Sequence, residues 1–127
     1  MIVGAHALAH YGAPRFTGDI DIFVCPESVN AQRIMVALKE FGFASLPLSP
    51  EDFLAPEHVV QLGVAPVRID IMTSISGVSW EEAKGGRVEG KYGDIKVFFI
   101  GKKEYIRNKR ATGRKQDLAD LDAIGEL

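Results

Sequence analysis

Little in this sequence speaks for a secreted, membrane-embedded or fibrous protein. There is one cysteine, Cys25, among 127 residues, and a lone thiol forms no internal disulfide and is compatible with a reducing compartment. Long apolar runs are missing: none approaches the ~20 residues that span a bilayer. No basic stretch leads into an apolar one near residue 1, so no secretory signal is expected. Charge of one sign is not in excess either. Fifteen Lys+Arg stand against 17 Asp+Glu, a formal net charge of −2, which argues against a general nucleic-acid coat. Repeats and low-complexity linkers are absent too. With 46% hydrophobic and 25% charged residues, the expected class is a soluble cytoplasmic protein, one domain over residues 1–127.

What is there alternates strands and helices. Met1-Ile2-Val3 reads as the end of an apolar strand, and a helix is expected from Ala5 to Tyr11, closed by Gly12 and Pro14. Ile20, Ile22 and Val24 alternate with Asp19, Asp21 and Phe23, which is strand periodicity. Pro26-Glu27-Ser28 opens a helix whose apolar stripe is Ile34, Ala37, Leu38 and Phe41, ended by Gly42. The proline-dotted stretch 44–57 reads as a loop with one helical turn after Ser49. Val59–Leu62 and Val67–Met72 are two strands joined across residues 63–66. Trp80–Lys84 is a helical turn stopped by Gly85-Gly86. Arg87–Glu89 and Ile95–Ile100 form a hairpin across residues 90–94, and helices at about 102–111 and 114–124 follow. The order predicts an α/β (α+β) fold with helices flanking a mixed sheet.

The chemistry concentrates in Gly18-Asp19-Ile20-Asp21-Ile22-Phe23-Val24. On a strand Asp19 and Asp21 share one face while Ile20 and Ile22 take the other. Farther on, Arg68-Ile69-Asp70-Ile71 puts a third acid inside an apolar strand. Unpaired buried carboxylates cost on the order of several kcal/mol each, so a cation partner is expected. All-oxygen donors suit Mg²⁺ or Mn²⁺ rather than Zn²⁺. If the strands are neighbours, two divalent ions about 3.5–4 Å apart can sit among the acids and substrate phosphates. The alternative is that the acids lie at a wet sheet edge or pair with Arg15, Arg68 and Lys96.

The stretch Val3-Gly4-Ala5-His6-Ala7-Leu8-Ala9 through Arg15-Phe16-Thr17-Gly18-Asp19-Ile20-Asp21 resembles the polymerase-beta-like nucleotidyltransferase superfamily. Its pattern is a glycine turn, then two acids in a hydrophobic strand, then a later Asp on another strand. The chain is most similar to the small prokaryotic minimal nucleotidyltransferases related to abortive-infection and toxin–antitoxin proteins, which end much like Tyr105–Arg114 followed by Asp117–Leu121. The resemblance implies a mostly antiparallel mixed sheet and a magnesium-dependent transfer of NMP from an NTP to a hydroxyl, releasing pyrophosphate. Asp19, Asp21 and Asp70 would be the catalytic and metal-binding acids. Gly4, Ala5, Thr17, Lys109 and Arg114 would line the nucleotide. Ala5 stands where many members carry Ser or Gly, so contacts there would come from backbone N–H groups. Members usually carry a helix and a longer first strand before the glycine turn. Their absence here implies a short first strand and an apolar face that is either truncated of its cover or covered by a partner.

From Lys102 to Lys115 seven basic residues stand against Glu104 alone. As one helix, Lys103, Arg107, Arg110 and Arg114 would form a continuous stripe, either a solvated face or a contact for triphosphate or RNA. Asp117 and Asp120 would orient those bases or cap the last helix. Among smaller signals, His6 and His10 have i, i+4 metal-ligand spacing but no third ligand nearby. His58 reads as a loop residue, Cys25 as a small buried hydrophobe, and Trp80 as the anchor of its helix on the sheet. Three functions follow. The first is a nucleotidyltransferase acting on a protein, an RNA or a small molecule. The second is a non-catalytic nucleotide-binding or antitoxin-like subunit, with a protein partner or a second copy. The third is a nucleic-acid binder using the basic stripe.

Overall fold

The structure is a computed structural model that describes residues 1–14, 17–64 and 67–127. Along the chain run β1 (Ile2–Val3), α1 (Gly4–His10), β2 (Asp19–Phe23), α2 (Ser28–Phe41), a 3-10 turn (Pro50–Phe53), β3 (Val59–Val64) and β4 (Val67–Met72). α3 (Trp80–Gly86), β5 (Val88–Tyr92), β6 (Ile95–Phe99), α4 (Lys102–Thr112) and α5 (Lys115–Ala123) complete it. The strands make one six-stranded sheet in the order β3-β4-β2-β1-β6-β5. β2/β4 and β1/β6 are parallel, whereas β3/β4, β1/β2 and β5/β6 are antiparallel. The fold is thus α+β on a mixed, mostly antiparallel sheet. No helix among the described residues is long and apolar enough to cross a membrane.

The alternation in β2 sorts its residues. Ile20 and Ile22 pair with Ile69 and Ile71 of β4, and Ile71 is buried with Val60, Leu62, Ala31, Leu38 and Phe53 beneath α2 and the 3-10 turn. The opposite face carries Phe23, whose ring meets Trp80 edge-on at 5.2 Å. There a second core gathers Val3, Leu8, Tyr105 and Leu121 from β1, α1, α4 and α5. α3 is set by a reciprocal cap: the Ser79 amide donates to Glu82 Oε1 at 3.1 Å and the Glu82 amide to Ser79 Oγ at 3.2 Å.

Several boundaries differ from the sequence expectation for local reasons. α2 begins at Ser28, leaving Pro26 outside, because Glu27 is still extended. α3 runs through Gly85 and Gly86 and is closed by Arg87, whose guanidinium donates to the Lys84 carbonyl at 2.6 Å. β5 continues through Gly90 to Tyr92, so the hairpin reverses on Gly93-Asp94 alone. Gly90 is a packing glycine, since a Cβ there would overlap the Phe99 ring and crowd His10. Gly63 and Val64 likewise stay in the β3/β4 ladder. The two last helices are present as expected, but the basic stripe does not run through both. Gly113 turns left-handed at φ 62° and Arg114 becomes the N-cap of α5, so of the four stripe residues Lys103, Arg107 and Arg110 share α4 and Arg114 does not. Arg15 and Phe16, in the stretch before the acidic strand, and Ala65 and Pro66, in the connection between β3 and β4, lie outside the described residues.

Candidate active site

The parallel register of β2 and β4 places Asp21 beside Asp70 and Asp19 beside Arg68. All four side chains therefore leave one face of the sheet. They form one wall of a cleft of about 960 Å³ whose far side carries Asn108, Lys109, Thr112 and Arg114. Gly4 lies in the same cleft. It sits at φ 66°, and a Cβ there would run into the Asp21 carboxylate. Glycine at the start of α1 thus answers both the backbone turn and the close approach of the acid.

The acids are crowded. Asp21 is pushed above the ordinary carboxylate range by burial and then by the charges of Asp70 and Asp19, with Lys109 pulling the other way. Arg68 supplies the visible compensation. Its Nε and Nη2 donate to both oxygens of Asp70 at 2.8 and 3.1 Å, and Nη2 lies 3.6 Å from Asp19. The pairing with Arg68 weighed from the sequence is therefore present. As arranged, no group of three or more His, Cys, Asp or Glu among the described residues is placed to hold a metal ion. The donor chemistry suits a hard cation, but Asp70 would have to exchange Arg68 for it.

Across the cleft, Lys109 is buried, with Nζ 3.2 Å from Asp117 and 3.5 Å from Asp120. Arg114 holds Asp117 through Nε at 2.8 Å, Nη2 at 3.2 Å and its own amide at 3.1 Å. Burial alone would raise the Asp117 carboxyl. Bonds from Arg114, Thr112 and Lys109 outweigh it and hold the group well below its usual range. Asp117 and Asp120 orient the two basic residues, as anticipated.

Of the eight residues expected at the site, the cleft gathers Asp19, Asp21, Asp70, Gly4, Lys109 and Arg114. Ala5 is buried. Thr17 spends its hydroxyl on the backbone, accepting from the Asp19 amide at 3.1 Å. Arg107 and Arg110 point away from a ligand role: Arg107 binds Glu82 at 2.6 Å and the Gly77 carbonyl, and Arg110 the Glu126 carbonyl. His6 and His10 pack on Tyr92 and Phe99 rather than converging on an ion. Cys25 is half-buried just beyond β2, its thiol pKa raised by burial.

The cleft also contains residues that motif reading passed over. Ser74, Ser76 and Gly77 follow β4, and Asn108 Nδ2 ties α4 to that loop through the Ser76 carbonyl at 2.9 Å. Glu57 lies there with φ 54°, an unusual backbone for a side chain larger than glycine. The run Thr73-Ser74-Ile75-Ser76-Gly77, hydroxyls and a glycine directly after an acid-bearing strand, was the signal available. Comparison with known protein families and with curated protein sequences gives no match.

Proposed function

We infer that the chain is a metal-dependent nucleotidyltransferase that moves NMP from an NTP to a hydroxyl of a protein, an RNA or a small molecule, with pyrophosphate leaving. The observation that carries this reading is the Asp21–Asp70 register, which gathers three carboxylates on one wall of a cleft whose other wall presents Lys109 and Arg114. Mg²⁺ or Mn²⁺, when bound, would neutralise triphosphate charge and favour the attacking alkoxide. Asp19 and Asp21 are the residues that would hold it. Asp70, once released from Arg68, would join them and would be the group to accept the proton of an incoming hydroxyl. Arg68, so displaced, is left free to meet a phosphate oxygen, and Lys109 and Arg114 favour negative charge from across the cleft.

The Arg68–Asp70 pair favours one other reading, a non-catalytic nucleotide-binding or antitoxin-like subunit in which Arg68 permanently replaces the cation. Titration calorimetry separates the two. ATP, GTP, CTP and UTP are titrated with and without Mg²⁺ or Mn²⁺ into the native chain and into Asp19→Asn/Asp21→Asn. Nucleotide binding that requires the metal and disappears in the double variant supports the transferase. Binding indifferent to metal supports the subunit. A folded native chain that binds no triphosphate under any condition sinks the transferase.

A further inference from the structure

Far from the cleft, the sheet ends in β5, and its outer edge has an unusual symmetry. The β5/β6 hairpin closes on the two residues Gly93-Asp94, with Tyr92 opposite Ile95. A two-residue loop is flanked by a hydrogen-bonded pair, so Tyr92, Gly90 and Val88 direct their amides and carbonyls toward β6. The backbone groups of Glu89 and Lys91 then face outward. Across the hairpin Lys91 stands directly opposite Lys96, a like-charge pair of the kind that weakens a sheet. Glu89 answers Lys96 at 3.3 Å.

We propose that β5 pairs antiparallel with β5 of a second copy of this chain about a two-fold axis at Gly90. That register sets each Glu89 opposite the other copy's Lys91, and both are the residues whose backbone groups point outward. The pairing thus satisfies the edge amides and carbonyls and places an acid beside Lys91, which in the hairpin stands opposite Lys96. The remaining positions match as well, with Val88 falling opposite Tyr92.

An apolar groove runs up to this same edge. Ile20, Ile22, Tyr92, Ile95 and Val97 line about 320 Å³ on the half of the sheet that α2 leaves open, with Ile95 66% exposed. Pairing at Gly90 joins the two grooves into one surface under a continuous sheet of both copies. The opposite edge, β3, offers no such code. Its sequence Val59-Val60-Gln61-Leu62-Gly63-Val64 carries no charge, so nothing there selects a register.

Sedimentation velocity on the full chain, from micromolar to about 0.5 mM, tests the interface. The native chain should dimerise, more weakly as salt rises. Glu89→Lys and Lys91→Glu should each weaken it by about tenfold or more, because each sets two like-charge pairs across the axis. Mixing those two variants should restore dimers as a heterodimer, and Glu89→Lys/Lys91→Glu in one chain should restore the homodimer. Both side chains are on the surface, and thermal melts by circular dichroism verify folding of each variant. A folded native chain that stays monomeric throughout overturns the proposal, whatever else its groove binds. So does a dimer indifferent to both reversals, or one that mixing fails to rescue.

Discussion

Two groups of aspartates lie on either side of the cleft, one on its wall and the other buried behind Lys109 and Arg114, and the fold treats them oppositely. Asp117 and Asp120 on α5 are buried, yet Lys109 and Arg114 supply two cations, and Gln116 donates to Asp120 at 2.8 Å. Of the strand acids Asp19 and Asp21 are half-buried and Asp70 is buried, yet among the described residues only Arg68 pairs with them, chiefly at Asp70. One consequence is that Asp117 is held below the ordinary carboxylate range and Asp21 above it. Burial pushes both groups upward, so the difference comes from how many donors reach each one. A carboxylate set that its own fold completes is structural. One left short of positive charge on a cleft wall is where an outside cation or ligand gains most.

The sharpest way to break this contrast is Asp117→Ala. Among the described residues it leaves buried Lys109 with Asp120 alone and frees Arg114, and removing one partner of a buried ion-pair network typically costs up to roughly 3–5 kcal/mol. Urea unfolding measures it directly. A loss below about 1 kcal/mol, the range of surface pairs, would make the α5 acids ordinary surface groups. Acid titration reads the same difference in sign. The lowered Asp117 carboxyl contributes stability that is present above the ordinary carboxylate value and lost as pH falls through its folded value. Native protein should therefore unfold steeply below about pH 4, and Asp117→Asn should flatten that limb.

Much of this was legible in the sequence because it depends on local pattern. Period-2 alternation located β2 and β4, and the Asp-Ile-Asp and Arg-Ile-Asp runs named the strand acids before their register was known. The α5 hub was only half legible. Spacing showed Asp117 three residues after Arg114, but that Lys109 would be buried against it depends on Gly113 folding α5 back on α4. The two helices, about 102–111 and 114–124, were legible, but the basic stripe drawn through Arg114 ran across their break, since spacing alone ignores a left-handed glycine. Likewise Arg68 was visible only as one candidate counter-ion among three. Its grip on both oxygens of Asp70 is set by their two-residue separation on the same strand face.

A smaller effect sharpens the other side of the comparison. Asp21→Asn removes one of three crowded charges while keeping shape. The raised Asp21 carboxyl contributes stability that is present below the ordinary carboxylate value and lost as pH rises through its folded value. The native chain at neutral pH thus carries a penalty the variant lacks. Thermal melts should show the variant higher by a few degrees at pH 7, on the order expected for this size of domain, and the gap closing toward pH 4. A variant that melts lower at pH 7 would mean the strand acids are already balanced, and the asymmetry between the two groups would be gone.

The finest test falls on Arg68, because it alone decides whether the strand acids are short of charge or merely sharing it. Its guanidinium occupies both oxygens of Asp70 and lies 3.6 Å from Asp19. A cation entering this site must displace it and also overcome its repulsion. Arg68→Gln removes both obstacles, so Mn²⁺ titrated alone should bind tighter by roughly tenfold, about 1.4 kcal/mol. Triphosphate binding should not improve in step, since the variant also loses a group able to meet phosphate oxygens. If Mn²⁺ affinity is instead unchanged while the melting temperature falls, Arg68 is a strut for β4. The strand acids would then belong with Asp117 and Asp120, as carboxylates that the fold itself completes.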